Sequence, residues 1–311
     1  MFRGLAPLGD QIYNVDPQWY LQIVEQENRQ WHHSLRGLLE PFITPYDPYS
    51  LVVVGSDGRM ERHSKTSTDI AVLAQNAADY PGWDLAEYLG DHGVHVDQRI
   101  LSVYDLAKDK KLSLVKGLQP KAYPDFLLWS DLVAGNPQIF FDTRVRIMNE
   151  LKDKNIYNDI KDRNRRQYAR AATTGIHARL PIFNRENCEQ YYYEASGEVP
   201  QLGFKIPFLR LVQSWLDLET ITYLRALDFH PEVISSFAQY VPSPVPDRVA
   251  FFGQQGWLHP QWEDIHSAYG WFLREYHYAQ ERYCLNGETT TTFDPVEFDY
   301  YSQTLLNKCA I

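Results

Sequence analysis

The chain has 311 residues, enough to bury a substantial core in one large domain or two ordinary ones, and we expect two. Its formal net charge is −10, which predicts no overall positive field that would gather nucleic acid or an acidic membrane surface. Its 21 tyrosines and 8 tryptophans offer ample apolar surface, which argues against intrinsic disorder.

The three cysteines, Cys188, Cys284 and Cys309, are far apart and show no metal-ligand spacing, which favours reduced thiols in a cytosol-like compartment. No apolar run reaches membrane-spanning length, and the first residues lack the apolar core of a signal peptide. We therefore expect a cytoplasmic protein, or one secreted without a cleaved signal into a host cytosol.

The first third of the chain alternates between helical and strand-like patterns. An amphipathic pattern over residues 16–42 predicts a helix that packs against a sheet. Two apolar runs, Leu51–Val54 and Ile70–Ala74, predict buried strands. Residues 81–92 predict a short helix, and the alternation over residues 93–103 predicts a further strand.

From about residue 124 the pattern becomes helical. Helices are predicted over residues 126–133, 143–151, 208–227 and 263–283. The charged run over residues 151–172 favours a solvated helix face, and an anionic site lined by its arginines is the alternative. The segment that follows Gly287, with its four threonines, is predicted to be irregular or strand-like.

A turn of Gly55 and Ser56 follows the first predicted strand, and Asp69 stands at the start of the second. Glycine lets backbone N–H groups approach phosphate oxygens, and the serine hydroxyl adds a donor. A carboxylate beside such a turn suits a nucleoside triphosphate, whose magnesium ion takes oxygen ligands from protein and phosphate together. Arg59 is suited to bidentate phosphate contact, and Glu61 to fixing that arginine or completing the metal shell.

These residues carry a resemblance to a known family. The motif is Gly55-Ser56-Asp57-Gly58-Arg59-Met60-Glu61, followed by Ser67-Thr68-Asp69-Ile70. It resembles the nucleotidyltransferases of the DNA polymerase β superfamily, and among them the branch related to protein uridylyltransferases and glutamine synthetase adenylyltransferase. That family has Asp-x-Asp on the second strand and a third acid on a later strand, where Asp97 fits. The resemblance is fair over residues 50–104 and faint over residues 120–285.

The resemblance implies an α+β fold with two parts. Residues 1–120 would form a small mixed-sheet nucleotidyltransferase domain flanked by helices, and residues 121–311 an α-helical bundle domain that binds the substrate. The implied reaction moves AMP or UMP from a nucleoside triphosphate to a hydroxyl of a protein or small molecule. The implied cofactor is Mg²⁺ or Mn²⁺, and the expected partners are the triphosphate and an unknown acceptor, without nucleic acid or membrane.

The resemblance also implies roles for individual residues. Asp69 and Asp97 are the expected catalytic and metal-binding acids, with Asp97 orienting or deprotonating the acceptor; a strand-end salt bridge is the alternative for Asp97. The expected nucleotide-binding residues are Gly55, Ser56, Arg59, Glu61, Lys65, Ser67 and Lys205. For Lys205 the alternative is an ordinary surface cation at a helix start.

One position departs from the family pattern, because Ala71 stands where the family has its second metal-binding carboxylate. Three explanations remain open: an engineered Asp-to-Ala change, a natural pseudoenzyme, or a ligand supplied instead by Glu61 or Asp57. The sequence therefore favours two functions. One is the transferase, and the other is a catalytically dead nucleotide-sensing or protein-binding module of the same fold. A nucleic-acid polymerase or tRNA-modifying role is third, disfavoured by the acidic charge balance.

Overall fold

A computed structural model describes residues 13–62, 68–79, 85–94, 96, 102–105, 113–116, 125–174, 179–181, 205–258, 262–288 and 290–310. Over these ranges the protein has the expected mixed α+β fold, with helices flanking a β-sheet. None of the helices in the described ranges is both long and apolar enough to cross a membrane.

The central sheet is mixed. Its strands in the described residues are β1 (Tyr49–Val53), β2 (Ile70–Ala74), β3 (Ser102–Asp105), β4 (Ser113–Lys116) and β5 (Asp131–Gly135), in the spatial order β4-β3-β2-β1-β5. β1 runs antiparallel to both β2 and β5, β2 runs parallel to β3, and β3 runs antiparallel to β4. Two short strands form a separate antiparallel ladder, β6 (Arg179–Pro181) and β7 (Thr290–Thr292).

Helices surround the sheet on both sides of its central strands. The helices of the first half are α1 (Pro17–Leu39), α2 (Gly55–Gly58), α3 (Leu85–Asp91), α4 (Asp125–Leu128), α5 (Pro137–Glu150) and α6 (Lys154–Thr174). Those of the second half are α7 (Arg210–Ala226), α8 (Pro231–Tyr240), α9 (Val245–Gln254), α10 (Trp262–Asn286) and α11 (Pro295–Lys308). A 3₁₀ turn, Ala77–Asp79, follows β2, and a π-helical turn, Lys205–Leu209, leads into α7.

The strongest sequence patterns are confirmed. β1 and β2 lie at the two predicted apolar runs, and α1, α7 and α10 lie at the three long helical patterns. The predicted short helix over residues 81–92 corresponds to α3, and the charged run forms α6. The alternating segment over residues 93–103 reaches β3 only at Ser102, and residues 97–101 lie outside the described residues.

The helix predicted over residues 126–133 is confirmed only as far as Leu128 and is wrong beyond it. α4 ends at Leu128, and the chain then enters β5, whose Val133 and Ala134 are buried where β5 pairs with β1. Gly135 ends that strand at φ +96°, and a Cβ there would lie 2.5 Å from the Tyr49 carbonyl oxygen. No proline or glycine divides the apolar run, so pattern alone could not separate the short helix from the strand.

α5 is longer than predicted and α11 is additional, because their caps lie outside the apolar pattern, and α8 and α9 were not predicted either. α5 begins six residues before the predicted start at 143, where the Asn136 side chain accepts the Gln138 N–H. α11 lies in the segment predicted to be irregular, and Asp294 caps it in the same way.

The core continues across the predicted domain boundary. Side chains alternate along the central strands, and those on one face join a large apolar cluster: Val52, Val54, Ala71 and Leu73. This cluster also contains buried residues from α5 to α11. The opposite face packs on the second half of α1 and on α3. The boundary between residues 120 and 121 stays a prediction, although β5 follows that boundary and completes the sheet.

Candidate functional site

The turn after β1 lies directly against the carboxylate of Asp69. Gly55 has φ +62°, and a Cβ at this position would lie 2.4 Å from Asp69 Oδ2. The Val54 N–H donates to the Asp69 carbonyl oxygen at 2.9 Å, which holds the two segments side by side. Gly55, Ser56 and Asp69 are half-buried. Glycine is therefore required here both by the backbone conformation and by the space that Asp69 occupies.

Backbone donors are available at this turn. In the part of the chain that the structure describes, the N–H groups of Gly55, Ser56 and Asp57 have no hydrogen-bond acceptor. The Ser56 carbonyl oxygen, by contrast, accepts the Glu61 N–H at 2.8 Å. The turn thus offers successive donors beside one carboxylate, an arrangement that suits phosphate oxygens with a bound divalent cation.

Asp57 is buried beneath the turn and holds Asp69 in place. Its Oδ1 lies 3.1 Å from Arg62 Nε, and its Oδ2 accepts the Asp69 N–H at 3.3 Å. Burial raises the pKa of Asp57, and the Arg62 guanidinium opposes that rise. Arg62 in turn lies 4.1 Å above the ring of Trp31. Asp57 thus contacts Arg62 as an ion pair through Oδ1, without a hydrogen bond from the described residues at that oxygen, and accepts a hydrogen bond at Oδ2.

A buried cluster, which we call the Glu61 network, consists of Arg59, Glu61, Gln213 and Tyr269. Arg59 Nε donates to the two Glu61 carboxylate oxygens at 3.2 and 3.1 Å. Gln213 Nε2 donates to the same oxygens at 3.2 and 3.1 Å, and the Tyr269 hydroxyl donates to Glu61 as well. The Glu61 network therefore ties the segment after the turn to α7 and α10.

Burial and neighbouring charges shift the pKa values of Tyr269 and Arg59 in this network. Burial raises the pKa of Tyr269 well above its ordinary value, so its hydroxyl remains a donor. Burial lowers the pKa of Arg59, but Glu61, Tyr269 and Asp217 together outweigh that effect, so the pKa of Arg59 is raised. The charges of Arg59 and Glu61 thus compensate each other inside the protein.

A second buried ion pair involves helices α7 and α9 and the segment before β5. Arg248 is fully buried, its guanidinium lies 3.7 Å above the Trp129 ring, and its Nη1 lies 3.5 Å from Asp217 Oδ1. Trp129 Nε1 donates to the same Asp217 oxygen at 2.6 Å. Burial lowers the pKa of Arg248 to about 10, which leaves it charged at neutral pH.

The position of the missing carboxylate is part of the core. Ala71 is fully buried, pairs with Val52 in the sheet register, and belongs to the large apolar cluster. Asp69 and Ala71 are two residues apart, as in the family pattern, and so point to the same side of an extended chain. Asp57 and Glu61, the two acids that could supply the absent ligand, each form an ion pair with a buried arginine.

The described residues therefore do not supply the carboxylate ligands that two metal ions need. Of the two positions that carry the Asp-x-Asp acids in the family, Asp69 supplies a carboxylate and Ala71 supplies no oxygen. Within the described ranges, no group of three or more His, Cys, Asp or Glu side chains is placed to hold a metal ion.

Several predicted site residues cannot be placed. Lys65, Ser67 and Asp97 lie outside the described residues, and their roles stay predictions. Val96, which precedes Asp97, forms a parallel bridge with Thr68, which precedes Asp69. Lys205 begins the π-helical turn before α7.

Sequence reasoning missed the partners of the motif residues. Gln213 interrupts the apolar face of α7, and Tyr269 lies in the apolar stripe of α10, a pattern that predicts bundle core. Asn28 of α1 binds both the N–H and the carbonyl oxygen of Arg62. His277 Nε2 lies 3.0 Å from the Glu61 carbonyl oxygen. A polar residue within an apolar face is the signal that such partners leave in a sequence.

Comparison of the chain with protein-family models and with curated proteins found no match.

Proposed function

We propose that the protein is a nucleotide-sensing module of the nucleotidyltransferase type, which binds a nucleoside triphosphate at the Gly55–Ser56 turn and does not transfer it. The observation that carries this proposal is the contact of Gly55 with the Asp69 carboxylate. It unites a glycine turn and a metal-binding oxygen within one small region, as a triphosphate with its cation requires.

The turn and Asp69 fit one divalent cation together with a triphosphate. Mg²⁺ in nucleotide sites is commonly bound by one or two protein carboxylates together with phosphate oxygens, so Asp69 alone is a sufficient protein ligand. The unbonded N–H groups of Ser56 and Asp57 and the Ser56 hydroxyl would hold phosphate oxygens. In this site the cation would neutralise phosphate charge and thereby strengthen binding.

Transfer is disfavoured by the chemistry of position 71. A two-metal displacement needs carboxylates that clamp both the attacking and the leaving oxygen. Ala71 provides a buried methyl group in place of one of them, and the nearby acids Asp57 and Glu61 are held by Arg62 and Arg59. Binding without turnover is what remains for such a site.

The second candidate function is the transferase itself, moving AMP or UMP to an acceptor hydroxyl with Mg²⁺ or Mn²⁺. The bridge between Thr68 and Val96 favours it, because the next residues in sequence are Asp69 and Asp97. The mixed sheet, with β2 antiparallel to β1 and parallel to β3, agrees with the fold that the resemblance implies.

Titration calorimetry with ATP and with UTP, each with and without Mg²⁺, tests the binding. We expect saturable binding that Mg²⁺ strengthens in the unmodified chain. Ser56→Ala should weaken it about tenfold, because a hydrogen bond to a charged group contributes about 1.5 kcal/mol. Asp69→Asn should weaken binding only when Mg²⁺ is present. Glu232→Gln, an exposed acid of α8, is the matched control and should leave affinity unchanged.

Incubation with α-³²P-labelled ATP or UTP and a cell lysate tests the transfer. The proposal expects no labelled acceptor from the unmodified chain. If the unmodified chain labels an acceptor and the Asp69→Asn variant does not, the protein is a transferase and the sensor proposal is wrong. Absence of any binding at millimolar triphosphate would overturn both functions.

A further inference from the structure

A cavity of about 240 Å³ lies between α1, α9 and α10 and reaches the segment after the Gly55–Ser56 turn. Its apolar wall includes Leu21, Val24, Met60 and Leu273. Its titratable lining residues are Glu25, Glu61, Asp247 and His266. Nothing in the proposed nucleotide site uses Glu25, Asp247 or His266.

Two of these acids share one arginine. Arg29 Nε donates to Glu25 Oε1 at 2.7 Å, and Arg29 Nη2 lies 3.9 Å from Asp247 Oδ2. The Arg29 side chain is 58% exposed, so this guanidinium compensates the two carboxylates from the solvent side. An ion pair with an exposed partner contributes little free energy and exchanges readily with another cation.

The remaining groups that face the cavity add no positive charge at neutral pH. Glu61 is compensated by Arg59 within the Glu61 network. Burial lowers the pKa of His266, which keeps its imidazole neutral. Burial and the neighbouring Glu25 raise the pKa of Asp247 to about 6, as expected for two acids that lack full compensation.

We propose that this cavity binds a small protonated amine with an apolar body. The ammonium group would lie between Glu25 and Asp247 in place of the Arg29 guanidinium, and the apolar body would contact Leu21, Val24 and Leu273. A volume of about 240 Å³ suits one small molecule and not a macromolecular surface. This site is separate from nucleotide binding and does not depend on it.

Benzylammonium is a suitable probe, with benzyl alcohol as its uncharged counterpart of the same apolar body. Binding to the full chain is followed at pH 7.5 by titration calorimetry and by amide chemical shifts. We expect saturable binding of benzylammonium, with shifts at Met60 and Glu61, and at least tenfold weaker binding of benzyl alcohol.

Three variants test the location of the site, two that should weaken benzylammonium binding and one that should strengthen it. Glu25→Gln and Asp247→Asn should each weaken benzylammonium binding about fivefold, because each removes one charge of the pair. Arg29→Gln should strengthen it about threefold, because the competing guanidinium is removed. Glu232→Gln again serves as the control, because it removes an exposed acid that does not line the cavity, and it should have no effect.

The proposal is overturned if benzylammonium does not saturate, if benzyl alcohol binds equally well, or if Arg29→Gln weakens binding as the two acid variants do. Circular dichroism and thermal melting of each variant identify a loss of folding. Because Arg29 is largely exposed, its variant should fold and so keeps the test decisive even if an acid variant does not.

Discussion

Two acids of one short motif, Glu61 and Asp69, lie in opposite surroundings. Glu61 is buried and accepts hydrogen bonds from Arg59, Gln213 and Tyr269. Asp69 is half-buried and lies against the glycine of the turn. The acids of the motif thus divide into a buried one that joins the segment to the helices and a half-buried one at the turn.

Substitutions of the buried acid and of the half-buried acid should differ in their effects on folding stability and on ligand binding. A buried charge that loses its partner destabilises the protein strongly, because its desolvation is no longer compensated. Substitution of a half-buried acid should cost little folding stability, but it can greatly weaken ligand binding. Substitutions on the two sides should therefore separate in their effects on folding and on ligand affinity.

The largest expected effect follows from Glu61→Ala. The substitution leaves Arg59 buried without its carboxylate and should lower the free energy of unfolding by about 3–5 kcal/mol. Urea denaturation followed by circular dichroism measures this change. Tyr269→Phe is the matched control, which removes a single hydroxyl donor and should cost only about 1 kcal/mol. A loss below 1 kcal/mol for Glu61→Ala would show that the network does not hold the fold.

Ala71→Asp should have the next largest effect, because it places a carboxylate in the apolar cluster. We expect a loss of about 2–3 kcal/mol at pH 7. The loss should be smaller at pH 4, where the buried acid can accept a proton, and Ala71→Asn should show no such pH dependence. Full stability of Ala71→Asp at pH 7 would mean that position 71 opens to a cleft, which favours the transferase.

Gly55→Ala should have an intermediate effect. Its φ of +62° strains any side chain, and its Cβ would meet Asp69 Oδ2, so we expect a loss of about 1–2 kcal/mol together with weaker nucleotide binding. Gly256→Ala is the matched control, because Gly256 has φ +68° but open space around its Cβ position. Equal costs for the two variants would contradict the contact between Gly55 and Asp69.

The smallest expected effect is the pH dependence at Asp247. Its pKa is raised to about 6 in the folded protein, so its stabilising contribution is present below pH 4 and is lost as the pH rises through 6. Since the side chain is 35% exposed, we expect less than about 1 kcal/mol. Asp247→Asn should remove this part of the difference between unfolding free energies measured at pH 4 and pH 7. An unchanged difference would contradict the raised pKa.

The surroundings of Asp69 could be predicted from the sequence better than those of Glu61. Strand β2 was predicted with its observed bounds, because a continuous apolar run between polar loops has few alternatives. The proximity of Asp69 to the glycine turn was also predicted, since residue type and strand position together define it, and the binding roles of these residues stay predictions. The nucleotide-contacting roles of Arg59 and Glu61 also stay predictions, and in the described structure both side chains bond to each other.

The partners of Glu61 could not be predicted, because Gln213 and Tyr269 are 152 and 208 residues away in the chain. Only the packing of α7 and α10 brings them to the motif. The same applies to β5, which joins the sheet by pairing with β1, a contact that no local pattern of residues specifies.

The large apolar cluster that joins the sheet to helices α5 to α11 has a practical consequence. A core shared in this way should unfold cooperatively, so a ligand bound at one edge would stabilise the whole cluster. A ligand at one hundred times its dissociation constant adds about 2.7 kcal/mol to the stability of the folded state. Thermal shift measurements on the unmodified chain can therefore rank nucleotides and amines before any acceptor is known.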